Sequence, residues 1–233
     1  MFKSITLNGG NIASLLEGTL TVDQNVNLND STDAYNTIEK SLIGITNNAV
    51  ISGSLANQVA IADNFSSVNS VTYNNMINNG TVSLTGDGSV AIYANNGNIT
   101  NSSAVSATGK ESFGIYGENG TVSTNTGTIT IGDQGVGIYG VSYQDPSNPG
   151  ANGGGLINIT NSGSITGTGG SGTIGIYSNT NRTGGTKGDA VVTLSGGTIN
   201  LGNVTEAIGV YVNKGTVNDT GSTITVGKNG IGI

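Results

Sequence analysis

A strand-like block of the form Gly-Thr-Ile-x-Ile, followed about seven residues later by Gly-Ile-Tyr, recurs along the chain and limits what it can fold into. Its clearest copy is Gly127-Thr128-Ile129-Thr130-Ile131 with Gly137-Ile138-Tyr139. The aliphatic-Tyr anchor returns at Tyr93, Tyr116, Tyr139, Tyr177 and Tyr211, with intervals of 23, 23, 38 and 34 residues. Gly232-Ile233 is a truncated copy, 23 residues after Gly209. A repeat of this length, with two Val/Ile strands and no intervening helix, is the signature of a solenoid. Function in such a quasi-one-dimensional protein lies on a face, in a loop or in the rod as a whole.

The first-strand block reads Thr19–Val22, Ala49–Ser52, Thr81–Leu84, Ala104–Ala107, Thr128–Ile131, Ser164–Gly167, Thr198–Leu201 and Thr223–Val226. Its copies have a minimum spacing of 23 residues, which indicates about eight coils, some lengthened by insertions. The stretch Gly120–Ile138 aligns without a gap on Gly215–Ile233. Within each block the alternation has period 2, so Ile129 and Ile131 share one face while Thr128 and Thr130 share the other. A third short strand precedes the block, at Ile99, Val122 and Ile159. The predicted fold is therefore all-β: a right-handed parallel β-helix, handed as parallel crossovers generally are. Eight coils make a rod of roughly 40 Å. Asn101, Asn125 and Asn161 fall at equivalent corners and are expected to form hydrogen-bonded ladders.

Residues 80–233 follow this pattern, with insertion loops at 141–153 and 178–189. Residues 1–79 are read as irregular coils or a capping segment. There Asp33–Ile43 and Ile12–Leu16 have spacings compatible with a helical turn or two. Met1-Phe2-Lys3 is not followed by a signal-peptide core, and the repeat stops at the place of the next Tyr. An internal fragment of a longer coiled protein is expected.

Charged residues make up only 9% of the 233, and 40 are Gly, so a long helix is opposed while short strands and tight turns are favoured. A net charge of −7 and a single arginine, Arg182, argue against nucleic acid, whose phosphates require clustered Lys and Arg. With no His and no Cys, Ser-His-Asp and Cys-His triads and Cys- or His-based metal sites are excluded. No cofactor or metal is expected, and the chain is read as not an enzyme. Asp87, Glu111 and Asp133 could stack into an acidic strip, or simply be residues that turns favour. The tyrosine column could bind a sugar or a partner, or serve as a ladder that stabilises the stack.

Both long insertions leave the rod just after the Ile-Tyr anchor in successive coils. They should emerge side by side, bringing Tyr143, Gln144, Asp145, Arg182 and Lys187 into one binding patch next to Tyr139 and Tyr177. Two tolerated surface loops with no role are the alternative.

Gly114-Ile115-Tyr116-Gly117-Glu118-Asn119-Gly120, followed by Asn125–Gly132 and Gly137-Ile138-Tyr139, resembles the passenger repeats of type V autotransporters, in particular large fusobacterial outer-membrane adhesins. The resemblance covers 80–233 and fits the first 80 residues poorly. It implies display on the bacterial cell surface through a C-terminal translocator barrel, absent from this chain, and attachment to a protein or glycan of host cells or other bacteria. A passive stalk holding a distal binding region, or a polysaccharide lyase or hydrolase, are the competing functions.

Overall fold

The computed structural model describes residues 4–7, 19–30, 38–39, 44–63, 75–95, 97–143, 157–181 and 190–233. The strands in these residues form three sheets, and each strand pairs in parallel with its equivalents in the neighbouring coils. One coil runs through Asn98–Asn101 in sheet A, Ala104–Ala107 in sheet B and Phe113–Glu118 in sheet C. The next coil then begins at Val122. Among the described residues sheet A holds nine strands, sheet B eight and sheet C seven. The fold is a parallel β-helix, as the repeat requires.

Period 2 becomes burial. Thr128–Ile131 runs exposed, buried, half-buried, buried. Ile51, Val82, Val105, Ile129, Ile165 and Ile199 stack in register down sheet B, each at most 1% exposed. Ile61, Ile92, Ile115, Ile138, Ile176 and Val210 do the same in sheet C. Burying each such side chain contributes about 1.5–3 kcal/mol.

The N-terminal half departs from the sequence expectation in three places. Thr19–Val22 belongs to sheet A, between Ser4–Leu7 and Gly44–Asn47, and sheet B of that coil is Val26–Asn27. Val22 is in register with Asn47, so this strand lacks the terminal Asn that marks later sheet-A strands and reads like a sheet-B block. The block at Ala49–Ser52 is one residue early: Ile51 pairs with Val82 and enters the core, while Val50 is 39% exposed. Ile38–Glu39 is no helical turn but a strand paired with Ile61–Ala62. The rest of Asp33–Ile43, and Ile12–Leu16, lie outside the described residues; among the described residues a single 3-10 turn at Leu28–Asp30 is the one helical element. The sheets run unbroken past residue 79, since Asn75–Asn78 pairs with both Gly44–Asn47 and Asn98–Asn101.

Close approach between coils explains the Gly of Gly-Ile-Tyr. The sheet-C register pairs Phe113 with Val136 and Ile115 with Ile138, passing over Gly114 and Gly137. A Cβ on Gly137 would lie 2.7 Å from Ile165 Cγ2 in the next coil and 2.5 Å from the Gly175 carbonyl oxygen. Gly114 faces Ile129, and Gly175 faces Ile199, in the same way. The equivalent residues in earlier coils are Ala60 and Ala91, and the sheet-B residues that follow them are Val82 and Val105 instead of Ile. Gly with Ile and Ala with Val hold the same number of side-chain carbons, so the pairing conserves volume.

The A-to-B corner is fixed by buried amides. Asn47, Asn78, Asn101, Asn125 and Asn161 are at most 1% exposed. Each of the first four donates from Nδ2 to Oδ1 of the next, at 2.8, 2.8, 2.8 and 2.7 Å. The amide also ties its own turn: Asn101 Nδ2 donates to the Ser103 carbonyl at 3.0 Å, and Ala49 N donates to Asn47 Oδ1 at 3.1 Å. The ladder expected at Asn101, Asn125 and Asn161 is formed and reaches back two coils further. It ends where the register offers Val22 before Asn47 and Leu194 after Asn161.

Gly137→Ala is expected to cost about 1–3 kcal/mol in urea unfolding. Combined with Ile165→Val it should lose less than the sum of the single losses; strict additivity would refute the volume pairing. Asn125→Ala leaves Asn101 Nδ2 and Asn161 Oδ1 each short of a partner and is expected to cost about 2–4 kcal/mol by the same measurement.

Candidate functional site

Sheet C carries the most distinctive outer surface. Residues three apart face outward together, so Phe113–Glu118 runs half-buried, buried, buried, half-buried, buried, half-buried, as does Val90–Asn95. Phe113 and Tyr116 both face out, as do Val90 with Tyr93 and Ile174 with Tyr177. The tyrosines stand in register from Tyr93 to Tyr211. Their centroids are 5.5, 4.8, 4.9 and 4.9 Å apart, with interplanar angles of 32°, 31°, 7° and 12°. Phe113 packs 5.3 Å from both Tyr116 and Tyr139.

This geometry decides what the column can offer a ligand. Stacked rings turn their faces onto one another, leaving edges and hydroxyls outward. A sugar ring that needs an open aromatic face finds none between Tyr93 and Tyr177. The hydroxyl end is polar and ordered at one point: Tyr116 Oη donates to Glu118 Oε1 at 2.8 Å and Tyr93 Oη to Oε2 at 3.1 Å. Further along, Asn179 Nδ2 donates to Tyr177 Oη at 3.3 Å.

The sheet-C strands of the two coils bearing insertions are longer than their neighbours, Val136–Tyr143 and Ile174–Asn181. They stay paired to their last residues, Tyr143 with Asn181. The insertions therefore begin side by side, but Val141–Tyr143 and Ser178–Asn181 belong to the sheet and not to the loops, a correction to the boundaries read at 141 and 178. Past Tyr139 the pairing continues through Gly140 with Ser178, Val141 with Asn179 and Ser142 with Thr180. Tyr139 and Tyr177 lie on this outer face. Gln144, Asp145, Arg182 and Lys187 lie outside the described residues.

The acidic strip does not form. Counting back three residues from Val90, Phe113 and Val136 places Asp87, Lys110 and Asp133 in one column, so a cation separates the carboxylates. Both are turn residues: Lys110 N donates to Asp87 Oδ1 at 2.8 Å and Ser171 N to Asp133 Oδ1 at 2.7 Å. Glu111 is one position on, in a column held at positive φ together with Asn57, Gly88, Gln134, Gly172, Glu206 and Asn229. Its φ is 57°, and its exposed side chain lies 3.6 Å from Lys110 Nζ. Among the described residues no group of three or more carboxylates could hold a metal ion.

Two residues of this surface, Phe113 and Glu118, are not among the candidates drawn from the repeat. Phe113 was legible, since an apolar residue precedes the Gly or Ala in each coil: Val90, Phe113, Val136, Ile174 and Ile208. Glu118 was not, because its register partners by successive pairing are Asn95, Val141, Asn179 and Asn213, a column in which no second carboxylate occurs.

Tyr139 touches Tyr116, Tyr177 and Phe113, so Tyr139→Ala is expected to cost about 3–5 kcal/mol in thermal unfolding. Tyr139→Phe keeps the ring contacts and should lose much less.

Comparison with family models, with curated proteins and with solved structures finds no match for this chain.

Proposed function

We propose that the chain is a segment of a cell-surface autotransporter passenger and works as an adhesin. On this reading it lies outside the cell, held to the outer membrane by a translocator barrel that is not part of this chain. It attaches to a surface protein or glycan of host cells or other bacteria through the insertions and the adjoining edge of sheet C. The observation that carries the reading is the pairing of Tyr143 with Asn181, which starts two insertions from neighbouring positions beside the tyrosine ladder. Side-by-side loops on one edge of a rigid rod are where repeat proteins build recognition surfaces. The sequence pattern around Gly114–Gly120 supports the family assignment.

The stalk reading has an observation of its own. The ring faces of the ladder are occupied by one another, as expected of a column whose work is to stiffen the rod.

Binding of the purified chain to a glycan array and to host-cell surface proteins separates the two. If the chain is an adhesin, deleting residues 144–153 or making Arg182→Ala should weaken binding by about tenfold or more. Binding that survives both changes would reject the loop patch, and no binding at all would favour the stalk. Shortened products after incubation with acidic or neutral polysaccharides would overturn both in favour of an enzyme.

A further inference from the structure

The tyrosine ladder and the carboxylate beside it have a chemistry independent of adhesion. The chain has no Trp and no Cys, and Met76 is sealed in the core at 1% exposure. The half-buried tyrosine column is thus the readily oxidised group on the outside of the described rod. A phenol gives up an electron easily only if its proton has somewhere to go. Glu118 meets that need twice, because its two oxygens accept the hydroxyls of Tyr116 at 2.8 Å and Tyr93 at 3.1 Å. The neighbouring rings at 4.8 and 4.9 Å, nearly parallel from Tyr139 onward, let the unpaired electron spread beyond the ring where it forms.

We infer that this strip is a site of oxidative tyrosine modification that joins one rod to another. A haem-peroxidase type of one-electron oxidant removes an electron from Tyr116 as the phenolic proton moves to Glu118. The radical is shared along the column, and two such radicals on separate copies couple through ring carbons next to the phenol oxygen. A carbon–carbon bond forms, and the hydrogen on each bonded carbon returns to its oxygen, restoring both phenols. The pair of tyrosines has then lost two electrons and two protons, and one hydrogen peroxide takes up both to become two waters. Coupling within a rod is opposed, because stacked neighbours present faces to each other whereas the new bond joins ring edges. Glu118 is the proton acceptor of this step.

The test treats the whole chain with a haem peroxidase and limiting hydrogen peroxide at neutral pH. Covalent dimers are followed on denaturing gels, dityrosine by its fluorescence, and the linked residues by peptide mapping. Dimers linked through ladder peptides are expected. Glu118→Gln keeps an acceptor oxygen for one of the two phenols, offers the other an amide nitrogen that only donates, and takes no proton. It should therefore form dityrosine several-fold more slowly, with a larger slowing in deuterium oxide, while a cooperative melting transition shows that the rod is still folded. Tyr116→Phe should slow the reaction similarly. Equal rates in wild type and Glu118→Gln would overturn the assignment, as would links mapping only to Tyr35, Tyr73 or Tyr143. A triple Phe variant at those three positions should keep its dimer yield; loss of the dimers would also overturn it.

Discussion

Parallel strands in register give every side chain its counterpart as nearest neighbour, about 4.8 Å away in the coils before and after. All else in this rod follows from that constraint. Ile on Ile excludes water, Asn on Asn exchanges an amide hydrogen bond, and Tyr on Tyr stacks. Like charge on like charge is the one arrangement the geometry punishes, by about 1 kcal/mol per step even in water. A charged fraction of 9% is what such a lattice tolerates. Where charges do enter a column they differ in sign or are diluted, as with Lys110 between Asp87 and Asp133.

The same rule explains how much was legible in the chain. Columns of one residue type repeat in the sequence, so the core, the Asn corner and the tyrosine ladder could be read from spacing alone. Misreadings came where a column changes chemistry. Val22 in place of the corner Asn made a sheet-A strand look like a sheet-B strand. Val50 and Ile51 are both apolar, so the alternation left the register ambiguous by one residue. The Asp87–Glu111–Asp133 alignment failed because composition at a turn does not reveal which residue takes the left-handed conformation, and Glu111 does. Glu118 belongs to no chemical series, and its role emerges only from the hydroxyls that reach it.

The candidate surface divides by the same logic. Ladder rings are fixed by the stack and show edges, hydroxyls and one carboxylate. The insertions break the sequence repeat, so no recurring position dictates their chemistry. On the proposed reading, adhesion would draw on the irregular part for specificity and on the regular part for position. The Asn ladder adds direction, since each of its first four amides donates toward the following coil. The aligned amide dipoles give the interior an electrical polarity along the axis.

The C-to-A corner, which follows the sheet-C strands ending at Asp63, Tyr143 and Asn181, stands apart from the A-to-B corner, which keeps its amides from Asn47 to Asn161. Asn125 reaches Asn161 at 2.7 Å although 36 residues separate them, so the longest excursion leaves the spine undisturbed. The molecule thus has one seam open to innovation and another closed to it. Residues added at the first leave the second in place, so one edge of such a rod can vary while its spine is kept.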